Sequence, residues 1–311
     1  MYNLNNQVMN IIKRKFKNLI KWSLMNIKPI NRMFSDETYL KILYRLYSGH
    51  KLDLENPRGF SEKLQWLKLY GFRPIYTTLV DKYAVKQYIS DMIGPEYNIP
   101  LIGVYNHFED IDFDVLPNQF VMKCNHDSGS KIIVTDKSKL DIRKARKKLN
   151  KRLKMNYYYL GRDSQYRYIQ PKIIIEQYMT DNTPENQDFL CDYKFFCFNG
   201  EPKIMYIAND GSPHANTDHF DMDFNHLPFY MHDLPAEVTP SKPEKFEEMK
   251  ALAKKLCADY PFVRIDFYFI NHNIYFGEFT IIHNGGLYRM KPEEWEIRLG
   301  DWIKLPEKNP K

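Results

Sequence analysis

The 311-residue chain is 43% hydrophobic, long enough for one large or two to three small domains with real cores. It has no run of 18 apolar residues, and its four cysteines (124, 191, 197 and 257) show neither CxxC pairing nor metal-ligand spacing. With no secretory signal they read as reduced thiols of a cytosolic protein.

The formal net charge of +6 is concentrated at one end. Residues 1–35 hold seven basic residues and no acidic one, which leaves 38 basic against 39 acidic in the rest. A body of net −1 argues against a general nucleic-acid binder. At helical spacing Val8, Ile12, Phe16, Leu19, Ile20 and Ile27 share one side of this segment, and Lys13, Arg14, Lys17 and Lys21 the other; only Lys15 breaks the pattern. That is an amphipathic basic helix, compatible either with an anionic membrane surface or with packing on the body.

Ser35-Asp36-Glu37 predicts a helix start, with Tyr39, Leu40, Ile42, Leu43 and Leu46 at core spacing. "FSEKLQWLKLYGF" (60–72) predicts a second helix capped by Ser61, and "LVDKYAVKQYISDMIG" (79–94) a third. A strand follows at 97–105, so 36–116 reads as a mostly helical entry region. Strands are expected at 119–124 and 131–135, a charged helix at 138–155 and a strand at 171–178. Strand 190–198 turns at Asn199-Gly200 into 202–208. A strand at 218–225, a helix at 242–258 and paired strands at 262–270 and 273–279 complete an α+β pattern with antiparallel sheets, not a Rossmann alternation.

Three stretches carry chemistry. In "FVMKCNHDSGSKIIV" (120–134) a loop of small donors with one flexible residue, Gly129, separates two strands. Its backbone N–H groups could converge on an anion, with Lys123 as a point charge; a plain hairpin with a surface lysine is the alternative. Cys124 alternates with Lys123 and is expected in the core. In "RIDFYFINHNIYFGEFT" (264–280) alternation puts Arg264 and Asp266 on one face of a strand, and Glu278 and Thr280 on one face of its neighbour. Two facing carboxylates repel unless a cation lies between them. Mg²⁺, which takes carboxylates plus substrate phosphates, suits the position, and an acid neutralised by Arg264 is the alternative. Beyond them, Gly285-Gly286 could bring backbone close to a ligand. In "IIIEQYM" (173–179) a buried strand ends in Glu176-Gln177-Tyr178-Met179, whose backbone could meet a purine edge.

The motifs "GFSEKLQWLKLY", "DKYAVKQYI", "KCNHDSGSKIIV", "DYKFFCFNG", "RIDFYFINHNIYFGEFT" and "EEWEIRLGDWIKLP" occur in an order that resembles the TupA-like branch of the ATP-grasp ligases, over roughly 36–306. This branch is found in polysaccharide and teichuronopeptide synthesis. The resemblance implies two α+β lobes clasping ATP, a small lobe at 117–179 and a large lobe with the metal site at 180–306, after the basic segment 1–35 and the N-terminal region 36–116. It implies that Lys123, with Ser128, Gly129 and Ser130, binds the nucleotide phosphates. Glu176, Gln177 and Tyr178 would be the hinge reading adenine and ribose, Lys194 a second phosphate contact acting in catalysis with Arg264, and Asp266 and Glu278 the Mg²⁺ ligands. Thr280 stands where many relatives carry a metal-binding Asn, which puts a second metal in doubt. The implied reaction is amide formation through an acyl phosphate, from ATP, a carboxylate-bearing glycan or sugar and an amine, in the cytoplasm or against the inner membrane face.

The rival readings are a glycosyltransferase using Asp221-x-Asp223 for a nucleotide sugar, a nucleic-acid binder using the basic stretch 137–154 with Tyr157–Tyr159, and an inactive ATP-grasp fold with a binding role.

Overall fold

A computed structural model describes residues 2–181, 190–208, 217–231 and 233–308, with side chains from Arg14 onward. Two antiparallel sheets organise the chain. The smaller has the order β1 (Leu101–Tyr105), β4 (Ile173–Gln177), β2 (Phe120–Cys124), β3 (Ile132–Val134). Strand 101–105, expected beside the entry helices, hydrogen-bonds into this sheet along β4. Its core, with Phe120, Met122, Cys124, Ile173 and Ile175, is closed by Ala145 and Leu149 of α7 (Ile142–Leu153). Cys124 is fully buried there, as alternation required. The basic residues of α7 lie on the side away from that core, the ordinary partition of an amphipathic helix.

The larger sheet has the order β10 (Asn273–Thr280), β9 (Val263–Ile270), β5 (Asp192–Phe198), β6 (Glu201–Ala208), β7 (Thr217–Phe220), β8 (His226–Leu227). Phe195 of β5 stacks on Phe246 of α9 (Phe246–Leu256), 6.1 Å between ring centroids, so this helix covers one face. The entry helices α3 (Asp36–Ser48), α4 (Phe60–Tyr70), α5 (Ile75–Val80) and α6 (Val85–Met92) share one apolar core with this sheet. Phe60 of α4, fully buried, meets Phe262 edge-on at 5.0 Å and lies 6.0 Å from Phe196. Burying one such ring contributes roughly 1.5–3 kcal/mol.

Three sequence expectations are corrected. Ser61 does not cap α4: the cap position is Gly59, and Glu62 Oε2 accepts the N–H groups of Arg58 and Gly59, each at 3.0 Å. The helix expected at 79–94 is broken, because Asp81 Oδ1 accepts the N–H groups of Tyr83 (2.8 Å) and Ala84 (3.3 Å) and so starts α6 afresh. The strand expected at 218–225 ends at Phe220. Asp221 Oδ1 takes the N–H groups of Asp223 (2.9 Å) and Asn225 (2.8 Å), and its Oδ2 takes the Asn225 side-chain amide (2.9 Å). Asp221 and Asp223 therefore belong to a turn in which Asp221 bonds local backbone, not to a strand face.

The basic segment is helical as expected: α1 (Tyr2–Asn26) is followed by α2 (Lys28–Arg32). The side chains of Val8, Ile12 and Lys13 fall outside the described residues. Its far end docks on the body, with Leu24 in the core and the Lys21 ammonium 3.7 Å from the Tyr47 ring centroid. Asn31 is buried and donates to Tyr159 O at 2.7 Å, and Arg162 Nη1 donates to Asn31 Oδ1 at 2.8 Å. The outer face carries Phe16, Leu19 and Trp22, each more than half exposed. No described helix is long and apolar enough to cross a membrane.

Candidate active site

Antiparallel register lines up five polar or aromatic side chains across the large sheet. Glu278 (β10) faces Asp266 (β9), which faces Lys194 (β5), then Tyr206 (β6) and His219 (β7). The repulsion expected between Glu278 and Asp266 is offset here by Arg264. Its Nε and Nη2 hold the two oxygens of Asp266 at 2.7 and 2.5 Å, and Nη2 also reaches Glu278 Oε1 at 2.8 Å. Nη1 contacts His283 Nδ1 at 3.1 Å, which makes that nitrogen an acceptor and the ring neutral. Burial, with Arg264 beside it, pushes the His283 pKa well down, in agreement.

Lys194 lies 3.2 Å from Asp266 Oδ2 and 3.3 Å from Asp192 Oδ2. Burial works against its charge, but Asp266 and Asp192 outweigh it and the ammonium is held charged. The walls around Glu278 partly desolvate it, yet Arg264, Lys82 and Lys194 keep it below the usual carboxylate range. Thr280 Oγ1 donates to Glu278 Oε1 at 3.2 Å. The side chain of Glu278 is 43% exposed against 1% for Asp266, so Glu278 is the acid open to a ligand.

The small sheet supplies the opposite wall. Glu176 is buried, and its two oxygens hold Lys86 at 2.7 Å and Lys123 at 2.5 Å. Burial raises its pKa, but the two lysines overcome this and keep it ionised. The Glu176 carboxylate thus positions two lysines, and any reading of a base edge falls to the strand end beyond it. There Gln177 is exposed, its N–H bonded to Pro100 O at 3.0 Å, and Tyr178 is half-buried.

The loop after Lys123 is built rather than loose. Asn125 is tied to Asp81 Oδ1 (2.9 Å) and Gln170 O (3.1 Å) and accepts from Lys172 N (2.7 Å). Ser130 Oγ accepts the Cys124 N–H at 2.8 Å and donates to Asp127 Oδ1 at 2.5 Å, and Arg152 pairs with Asp127 and with Ser128 O. Ser130, expected to close over phosphates, therefore braces the loop from inside. Ser128 and Gly129 are its exposed tip, where Gly129 sits at φ +91°, a region closed to most side chains.

Sequence reasoning missed Lys82. It follows the break that Asp81 makes between α5 and α6, and its Nζ donates to Asp127 O at 2.6 Å. Burial pushes its pKa down, against the pull of Glu278, with Lys123, Asp127 and Glu176 as further charged neighbours. Lys82 thus links the small-lobe loop to the acid of the large lobe. The pair Asp81-Lys82, a turn former inside an apolar period, was the available signal.

Gly285 and Gly286, expected near a ligand, serve as anchors. Their carbonyls accept from Gln65 at 2.8 and 2.6 Å, and Lys68 Nζ donates to Gly285 O at 2.7 Å. Lys68 is itself buried against Asp163 at 3.0 Å. This fixes the chain after β10 to α4.

The two antiparallel sheets and the cleft of lysines and acids between them form the two-lobed ATP-grasp arrangement. The profile of the TupA-like ATPgrasp family matches residues 62–304, and the chain belongs to that family. No curated protein sequence matches it significantly. Among solved structures, D-alanine–D-alanine ligase from Helicobacter pylori is 16% identical over 75% of this chain and 60% of its own, with a TM-score of 0.42. The Bacillus anthracis D-alanine–D-alanine ligase complexed with ATP is 16% identical over 66% of this chain and 54% of its own, at 0.37. Phosphoribosylamine–glycine ligase from Thermotoga maritima is 13% identical over 66% and 48%, at 0.38. The chain thus spans about half to three fifths of the length of these proteins.

Proposed function

We propose that the protein is an ATP-dependent carboxylate–amine ligase that acts on a carboxylate-bearing glycan or sugar. The observation that carries the reading is the convergence of Lys82, Lys86, Lys123, Lys194 and Arg264 on Glu278, Asp266 and Glu176. Such a set carries more positive than negative charge and offsets part of a triphosphate's charge while leaving one acid accessible.

Among the described residues no group of three or more acids, histidines or cysteines forms a full protein cage for a metal. Mg²⁺ needs only one or two carboxylates when phosphates complete its shell, so the facing pair Glu278 and Asp266 fits it, with Thr280 beside them. When bound, Mg²⁺ would screen the charge that develops on the transferred phosphoryl group. Asp266 contributes if Arg264 releases one of its oxygens, and the freed guanidinium then has a phosphate oxygen as its alternative partner.

In the proposed reaction Lys123 and the Ser128–Gly129 tip hold the phosphates on the small-lobe side, and Lys194 holds them on the sheet. A substrate carboxylate oxygen attacks the γ-phosphorus and ADP leaves. An amine then attacks the acyl carbon, phosphate leaves and the nitrogen loses a proton. The protein's part is positioning and charge stabilisation, with no covalent nucleophile. Cys124 and Cys197 are fully buried, and burial raises both thiols, consistent with packing roles.

Binding distinguishes this reading from the glycosyltransferase. Titrated with Mg²⁺, the protein should bind ATP and ignore UDP- and GDP-sugars. Tight binding of a sugar nucleotide with none of ATP refutes the ligase.

The exposed Phe16, Leu19 and Trp22, flanked by the exposed Arg14 and Lys15, support a second contact, with an anionic bilayer. Each basic residue near such a surface contributes about 1 kcal/mol, and inserted rings add to it. Removing residues 1–22, which spares the docked Leu24 and Asn31, should weaken co-sedimentation with phosphatidylserine vesicles, and raised salt should weaken that of the intact protein. Equal sedimentation of the two proteins at low salt would show that the helix does not engage the membrane.

A further inference from the structure

Away from the cleft, a cavity of about 350 Å³ opens between the start of β6, the turn after β7 and helix α10 (Glu293–Trp302). Lys203, Asp221, Met222, Leu227, Arg298 and Trp302 line it. Its size lies at the lower end of small-ligand sites.

Its charges are unevenly matched. Glu201 at the rim pairs with Lys254 at 2.5 Å, and Asp221 is bonded within its turn. Among the described residues, neither Lys203 nor Arg298 has a carboxylate partner; both lie against rings. Lys203 Nζ is 4.9 Å from the Trp302 centroid, and the Arg298 guanidinium is 5.6 Å from Trp302 and 4.5 Å from Trp295.

Lys203 is held there by a backbone irregularity. Phe196 faces Ile204 and Cys197 faces Pro202, so Lys203 is the extra residue of a β-bulge, the device that re-aims a side chain. Trp302 is fixed beneath it by Phe198, edge-on at 5.3 Å, and by Asn199, whose amide donates to Trp302 O at 2.5 Å.

We propose that this cavity binds an acidic saccharide unit, a carboxylate-bearing pyranose of a glycan chain. Two cations without acid partners suit one carboxylate. The half-buried Trp302, Met222 and Leu227 offer apolar surface to the C–H edges of a sugar, and the oxygens of Asp221 and Glu201 accept from its hydroxyls. The same two acids oppose a densely charged polyphosphate more strongly than a single carboxylate per sugar, so the site favours the glycan over a phosphate chain. Lys203 lies three residues from Tyr206 along β6, about 10 Å at strand rise. A chain seated here would be a handhold for a polymer and not its reacting end. The inference rests on the glycan reading above only for the class of ligand.

The test is titration of the full-length protein with oligogalacturonate, read by calorimetry and tryptophan fluorescence. Neutral oligosaccharide of equal length and inorganic phosphate serve as controls. Saturable binding of the oligouronate alone is expected, weakened at least tenfold in Lys203→Gln/Arg298→Gln while ATP binding persists. Glu278→Gln, which disables the cleft at an accessible side chain, should leave this binding intact. Unchanged affinity in the double variant, equal binding of the neutral glycan, equal competition by phosphate, or no binding at all each overturns the proposal. Oligouronate binding without ATP-driven ligation of any uronate supports the site and refutes the substrate reading.

Discussion

Glu278→Gln should lower Mg²⁺-dependent ATP turnover by roughly 10²–10³-fold, the range typical of one lost electrostatic partner of a transition state. The fold should persist. The substitution is isosteric, the side chain is half-exposed, and Arg264 keeps both oxygens of Asp266 as partners. Asp266→Asn is a different experiment. Asp266 is buried between Arg264 and Lys194, and removing its charge leaves two buried cations under-compensated. Breaking a buried pair costs about 3–5 kcal/mol, so this variant should lose melting temperature together with activity. The informative outcome is therefore activity loss at Glu278 with unchanged circular dichroism and melting temperature. Undiminished turnover in Glu278→Gln would remove the acid row from the reaction.

The acid row was legible because its positions obey a local rule. Alternation along 264–280 groups the acids by face, and a short hairpin brings the two strands together, but the pairing itself needs a β-bulge: the register begun at Ile270 and Asn273 would set Asp266 opposite Gly277, and the shift between Phe276 and Glu278 brings Glu278 there instead. What stands between them was not fixed: Arg264 shares the face with Asp266, and a guanidinium or a metal satisfies the same repulsion. Local rules failed where a short polar side chain captured backbone. The 79–94 period reads as one helix, but Asp81 ends it and lets Lys82 reach the Asp127 carbonyl. The stretch 218–225 reads as a strand, but after Phe220 Asp221 folds it into a turn. Non-local pairings were invisible. Nothing in 97–105 names β4 as its partner, and Glu176 gives no sign that it will hold Lys86 as well as Lys123.

Glu296→Ala should be among the most destabilising single substitutions in the chain, with a loss on the order of 3 kcal/mol or more and a clearly lowered melting temperature. Sequence reasoning assigned Ser61 the task of capping α4; its own N–H in fact needs an acceptor, and that acceptor comes from the far end of the chain. Glu296 is fully buried in α10. Its Oε1 accepts from Ser61 N at 2.7 Å and from Ser61 Oγ at 2.5 Å, and its Oε2 accepts from Met290 N at 2.9 Å. Alanine would leave the buried N–H groups of Ser61 and Met290 without an acceptor, and Ser61 Oγ with only Tyr44 Oη at 3.0 Å. Gly300, one turn on, lets α10 approach, because a Cβ there would lie 2.0 Å from Arg58 O. The motifs "GFSEKLQW" and "EEWEIRLGDW" are thus two halves of one joint, which seats α4, and through Gln65 and Lys68 the chain after the acid row. Burial raises the Glu296 pKa against the opposing hydrogen bonds. A carboxyl raised in the fold favours folding while it is protonated, and that contribution fades as pH rises through the folded-state pKa. Glu296→Gln removes the charge but turns an amide N–H₂ toward one of the donors, so it should cost about 1–3 kcal/mol, less than alanine. Its deficit relative to the parent protein should be larger in mild acid than at neutral pH, where the ionised parent is itself penalised. Equal melting temperatures for the parent and Glu296→Ala would show that the joint does not hold the two motifs together.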